Sequence, residues 1–233
     1  MSAPPLRRAL CLAYGAGSIG AGIFSTIPGL LLLFYLTDTL AVPAGLAGLA
    51  ILIPKLWDIV TDPIVGSWSD RTQTRWGRRR PFLLAGALLL PLCFMALFMA
   101  PVGDPIVSFF WVLIAFCAAA GAFTLFQVPY ATMPTEMTGD YHERTTLVAY
   151  RMAFLTVGIL AGGALAPELI EAGGGGVAGY ASMSVVLALV TMAAMLVSSA
   201  PPRSAIRARG SNSTMCRCLS AMVAWARIGC QPM

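Results

Sequence analysis

Residues Phe82 to Ala100 read FLLAGALLLPLCFMALFMA, nineteen positions without a charge, framed by Arg80 and Asp104. A bilayer core about 30 Å thick requires ~20 apolar residues per crossing helix. The block therefore reads as one membrane span. Working outward, five more blocks of that kind appear, giving six segments at about 12–36, 44–68, 82–100, 106–133, 146–166 and 177–199. Hydrophobic residues make up 58% of the 233-residue chain and charged ones 11%, against about 25% charged in an ordinary soluble domain. A soluble fold this apolar could not cover its surface with polar groups. Arg7 and Arg8 before an apolar run imitate a secretory signal, but the run continues from about Leu10 to Leu36. A signal core ends within ~7–15 residues, so the first segment reads as a retained span. Pro43, Pro81, Pro101, Pro105, Pro134, Pro167 and Pro201 read as joints between segments. The expected class is an all-α membrane protein, a six-helix bundle over residues 1–200, followed by a polar tail over 201–233.

Charge placement sets the topology. Arg7 and Arg8, the loop arginines Arg71, Arg75, Arg78, Arg79 and Arg80, Arg144, and the tail arginines all fall on one side of the six spans. The loops around Thr39, Gly103 and Gly173 contain no Lys or Arg. This asymmetry places both termini in the cytoplasm, most simply of a bacterial cytoplasmic membrane. It also accounts for the net charge of +5 without nucleic acid.

Four charges remain inside the spans: Lys55, Asp58 and Asp62 in the second and Arg151 in the fifth. Each costs about 2.5–3.5 kcal/mol at a helix centre on insertion scales, so they must pair or line a wet cavity. Asp58 and Asp62 are four apart and share one helix face, with Lys55 three residues earlier on that face. Two unscreened carboxylates repel in low dielectric, which makes the pair a ready site for one small cation, Na⁺ or H⁺. Thr61 on the adjacent face offers a hydroxyl, and Pro63 frees a carbonyl one turn back. The alternative is a structural Lys55–Asp58 ion pair, which leaves Asp62 unexplained.

Other features are bland. Cys11, Cys93 and Cys117 lie in apolar segments as packing residues. Cys216 and Cys218 form a C-x-C in the tail without further ligands at zinc spacing. Ala13, Gly17 and Ala21, and Gly158 and Gly162, recur at the four-residue spacing that lets membrane helices approach. The run Gly173–Gly176 lacks the context of a phosphate loop. Neither H-E-x-x-H nor G-x-S-x-G occurs, so no enzyme is expected, and no cofactor beyond a coupling ion.

From Tyr14 to about Met192 the chain resembles the glycoside–pentoside–hexuronide cation symporters of the major facilitator superfamily. The stretches that carry the likeness are Tyr14-Gly15, Phe34-Tyr35-Leu36-Thr37-Asp38, and Lys55-Leu56-Trp57-Asp58-Ile59-Val60-Thr61-Asp62-Pro63. Asp70-Arg71-Thr72, Arg75-Trp76-Gly77-Arg78-Arg79-Arg80-Pro81, Gln127-Val128-Pro129-Tyr130 and Tyr150-Arg151 continue it in order. The resemblance implies the amino-terminal half of a major facilitator fold and symport of a sugar or glycoside. It implies that Asp58 and Asp62 bind the coupling cation with Thr124 as a third ligand. It places Arg151, Gln127 and Tyr130 at the substrate pocket, to which Lys55 is added. It implies a cytoplasmic conformational latch of Asp70, Arg71, Gly77, Arg78 and Arg79, reaching toward Glu136 or Glu143. Gly22 and Gln127 stand where the melibiose permease has sugar-binding acids, which speaks against a galactoside. From about Pro202 the likeness stops, and the tail reads as a truncated or frame-shifted cytoplasmic end. Such a half is expected to need a separate carboxy-terminal half or a second copy. The competing reading is a non-transporting remnant or membrane interaction protein.

Overall fold

The computed structural model describes residues 8–72, 79–101, 103–137 and 141–199. Six helices cross: α1 (Arg8–Phe34), α2 (Ala44–Arg71), α3 (Arg80–Phe98), α4 (Pro105–Met137), α5 (Tyr141–Ala172) and α6 (Gly176–Ser199). Each is long and apolar enough to span a bilayer, and no strand occurs among the described residues. The chain is a multi-pass α-helical membrane protein. The tail over 201–233 and the loop over 73–78, with Gly77 and Arg78, lie outside the described residues.

Lipid tails are as apolar as leucine, so these helices associate through close packing and hydrogen bonds rather than hydrophobic transfer. Small residues decide where they meet. α1 packs on α5 and α6, α3 on α4 and α6, and α2 on α4. At the α1–α5 crossing, a Cβ at Gly22 would lie 2.5 Å from the Leu155 carbonyl oxygen, and one at Gly158 would collide with the Ile19 carbonyl. Glycine is required at both positions. Gly86 plays the same part between α3 and α4, where a Cβ would meet Phe126 at 2.7 Å.

Around these contacts the core fills with rings. Phe24 meets Phe94 edge-on at 6.2 Å and Phe123 at 4.9 Å. At the other end, Tyr35, Phe98 and Tyr180 cluster. The Tyr35 hydroxyl donates to the Phe98 carbonyl (3.0 Å) and accepts from the Ala100 N–H (3.3 Å). It thereby caps the end of α3, where carbonyls lack helical partners.

The helices run longer than the apolar blocks that announce them. α5 begins at Tyr141 and ends at Ala172, so Pro167 lies inside it, and Pro134 lies inside α4. Polar residues outside the hydrocarbon extend a helix as well as apolar ones within it, and proline inside membrane helices is tolerated where neighbouring groups satisfy the freed backbone. After α1 the chain makes a π-helical turn, Tyr35–Thr39, and leaves it through Ala41 at φ 52°. The glycine run is a helix stop: Gly173, Gly174 and Gly175 donate to the carbonyls of Leu169, Glu171 and Ile170. Positive φ at Gly174, Gly175 and Gly176 then reverses the chain.

Candidate functional site

α2 lies against α4 on one side only. Just 17% of its most apolar window is buried, as in α5, against 56% for the first span. Ile59 on α2 and Leu160 on α5 stand 69% and 67% exposed. The face of α2 turned toward α4 carries the chemistry. Buried Thr124 donates from Oγ1 to Asp62 Oδ1 at 3.0 Å, tying the two helices at that carboxylate. One turn away, Asp58 Oδ1 is buried with no hydrogen-bond partner. No ion pair joins Lys55 to Asp58 among the described residues.

A cavity of about 280 Å³ opens beside Asp58. Lys55 and Asp58 from α2, Ser25 from α1, and Gln127 with Phe123 from α4 line it. Gln127 Oε1 is, like Asp58 Oδ1, buried without a partner. Ser25 and the phenylalanine walls are the residues that sequence reasoning missed.

Thr61 takes a different position. Its hydroxyl donates to the Trp57 and Asp58 carbonyls (3.0 and 3.4 Å) and faces a second, apolar cavity of about 400 Å³ lined by Trp57, Leu89, Cys117 and Leu125. Thr124, not Thr61, is the hydroxyl brought to a carboxylate. Arg151 and Tyr130 do not line the first cavity. Tyr130 is fully buried and clasps α1: its hydroxyl donates to the Tyr14 carbonyl, meets Ser18 Oγ at 2.8 Å, and receives Tyr14 Oη at its own carbonyl (3.1 Å). Arg151 lies over the Tyr130 ring at 5.2 Å, so the aromatic face partly offsets its charge.

At the far end of α2, Asp70 Oδ1 lies 3.4 Å from Arg79, whose guanidinium also reaches Thr132 on α4. Arg71 ends α2 and is exposed. Glu143 starts α5, and the side chain of Glu136 lies outside the described residues.

A one-sided six-helix bundle with paired acids at mid-span and a charged joint between its second and third helices defines one half of a major facilitator transporter. The chain belongs to the family described as MFS/sugar transport protein, whose model matches residues 13–215. It is 40% identical over 160 residues to an uncharacterized symporter of Synechocystis sp., covering 66% of this chain and 29% of that protein. A putative glycoside/cation symporter of Escherichia coli is 31% identical over 160 residues, 69% of this chain and 35% of that one. A sodium-dependent lysophosphatidylcholine symporter of Danio rerio is 30% identical over 160 residues, 68% of this chain and 30% of that one. The matched part therefore spans about a third of the length of these relatives.

Proposed function

We propose that the chain forms the amino-terminal bundle of a cation-coupled symporter for a sugar or related small solute. The observation that carries this reading is the division of labour in one acid pair. Asp62 is hydrogen-bonded across to Thr124, while the buried oxygen of Asp58, one turn away, has no partner. Hard oxygens of this kind suit Na⁺, and a proton would quench the same repulsion. Asp58, Asp62 and Thr124 hold the cation in this reading. Thr61 stands behind them. Lys55 and Gln127 meet the solute, and Arg151 and Tyr130 brace the pocket from its cytoplasmic end. Alternating access then needs this bundle to rock against a second one. In this reading Asp70, Arg79 and the neighbouring loop arginines bias the state in which the cytoplasmic side is shut. Both termini lie in the cytoplasm. The test is Asp62→Asn in a protein of its relatives' length that carries this bundle, reconstituted in vesicles. It should insert normally and lose the Na⁺ or H⁺ dependence of uptake. Unchanged coupling would sink the assignment.

A further inference from the structure

We propose that Tyr14 and Tyr130 form a gate inside this bundle, closing the cavity beside Asp58 at the end where α1 starts and α4 stops. The gate is independent of the acid pair and of any solute. The cavity lies between α1 and α4, with Ala21 to Gly29 on one wall and Phe116 to Gln127 on the other. Tyr14 and Tyr130 come next toward the helix ends Arg8 and Met137. Their bonds are reciprocal, since each hydroxyl donates to the other residue's backbone carbonyl. Their rings stack at 4.7 Å. Every hydrogen bond between α1 and α4 among the described residues belongs to this clasp. α1 packs mainly on α5 and α6, and α4 on α2 and α3. A clasp so placed shuts the seam between two groups of helices.

Pro134 makes this a gate and not a fixed brace. In an α-helix each N–H bonds the carbonyl four residues back. Pro134 lies inside α4 and has no N–H to give, so the Tyr130 carbonyl loses its helical donor. The Tyr14 hydroxyl takes that place at 3.1 Å. Pro129 removes a second such bond from the same stretch of α4. Thr132 Oγ1 turns back onto the Val128 and Pro129 carbonyls at 3.2 and 3.1 Å, a contact that bends helices. The arm from Tyr130 to Met137 is thus joined to the rest of α4 by a weakened backbone and held by its neighbours. Tyr14 holds it from α1, and Arg79, just before α3, holds Thr132. A side-chain hydroxyl leaves a carbonyl by changing rotamer, which a backbone N–H cannot do. When Tyr14 lets go, the arm swings without breaking a backbone hydrogen bond at that carbonyl.

The test is a double-mutant cycle on the 233-residue chain in lipid nanodiscs. Tyr14→Phe removes one hydroxyl. Pro134→Ala returns a backbone N–H to the same carbonyl, so it should make that hydroxyl dispensable. Hydrogen exchange reads the amides of 131–133 and 135–137. A charged thiol reagent reads Ala21→Cys, a buried position on the cavity wall, with the native cysteines replaced by alanine. Expected for Tyr14→Phe are faster exchange confined to that end of α4 and labelling faster by about threefold or more. Pro134→Ala alone should slow both below the parent, and Tyr14→Phe added to it should change neither. Should Tyr14→Phe loosen the whole bundle, Pro134→Ala against the parent still decides. An effect of Tyr14→Phe that persists undiminished on Pro134→Ala overturns the proposal, since the hydroxyl would not then be replacing the missing donor. Faster exchange with labelling unaltered overturns it too, because the helix end would fray without opening the cavity. Exchange and labelling in Pro134→Ala equal to those of the parent overturn it in either case.

Discussion

Asp58 and Asp62 differ in what surrounds them, although the sequence shows them as equals. Asp62 has a buried hydroxyl aimed at it from another helix, and Asp58 has an empty acceptor beside a cavity. A hydrogen bond to a charged group contributes about 1.5–3 kcal/mol. Thr124→Ala should therefore weaken cation affinity by about tenfold or more, read as the Na⁺ or H⁺ concentration for half-maximal fluorescence change. Thr124→Ser should restore it. An Ala variant with unaltered affinity would remove Thr124 from the site. The acids were legible because charge at mid-span needs a reason. Thr124 was named through the resemblance alone and not from spacing, since threonines are common in these spans and only a neighbouring helix tells which one points at a carboxylate. Thr61 offered the nearer choice in sequence, yet its hydroxyl turns to its own helix's carbonyls. Tyr130 and Arg151 show the same limit. Their proximity was implied, but the clasp that withdraws Tyr130 from the cavity depends on α1.

Helices were legible where apolar length decides and blurred where polar ends continue the same backbone. No hydropathy signal separates Tyr141–Thr145 from a loop, yet they begin α5. The small residues say that helices meet, though not which ones. Gly158 and Gly162 were read as a packing face, and their counterparts on α1 are Ile19, Gly22 and Ile23. A side chain at Gly22 has no room, because the Leu155 carbonyl lies where its Cβ would go. Overpacking of this kind costs about 1–3 kcal/mol. Gly22→Asp should therefore lower the thermal midpoint of the purified chain, instead of adding an acid to the cavity. A variant that melts with the parent would show the crossing to be looser than described. The Asp70–Arg79 contact joins the end of α2 to the start of α3. Arg79 is mostly covered, but Asp70 stands in solvent, and a pair screened by water on its acid side contributes only about 0–1 kcal/mol. Asp70→Asn should thus leave the melt unchanged while raising labelling of cytoplasmic cavity positions in a protein of its relatives' length. Equal labelling would discard the latch.

At the scale of the whole molecule, the bundle is finished on one side and unfinished on the other. α2 and α5 each bury one flank and leave the rest outward, and the charged cavity sits beside α2. A hydrocarbon surround suits Ile59 and Leu160 but not Lys55 and Asp62, both exposed. Charges of this kind carry about 2.5–3.5 kcal/mol each at mid-span on insertion scales. Purified alone, the 233-residue chain should therefore pair with itself or lose helix on mild heating. Removing a charge should relieve the problem at its source. Asp62→Leu should raise the midpoint of the isolated chain and shift it toward monomer, at the expense of its response to cation. Mass by light scattering in detergent, with helix content followed on heating, measures both effects. A wild-type monomer as heat-resistant as the Asp62→Leu variant would mean that this face is at ease in lipid. The need for a second bundle, and with it the rocking mechanism, would then lose its physical motive.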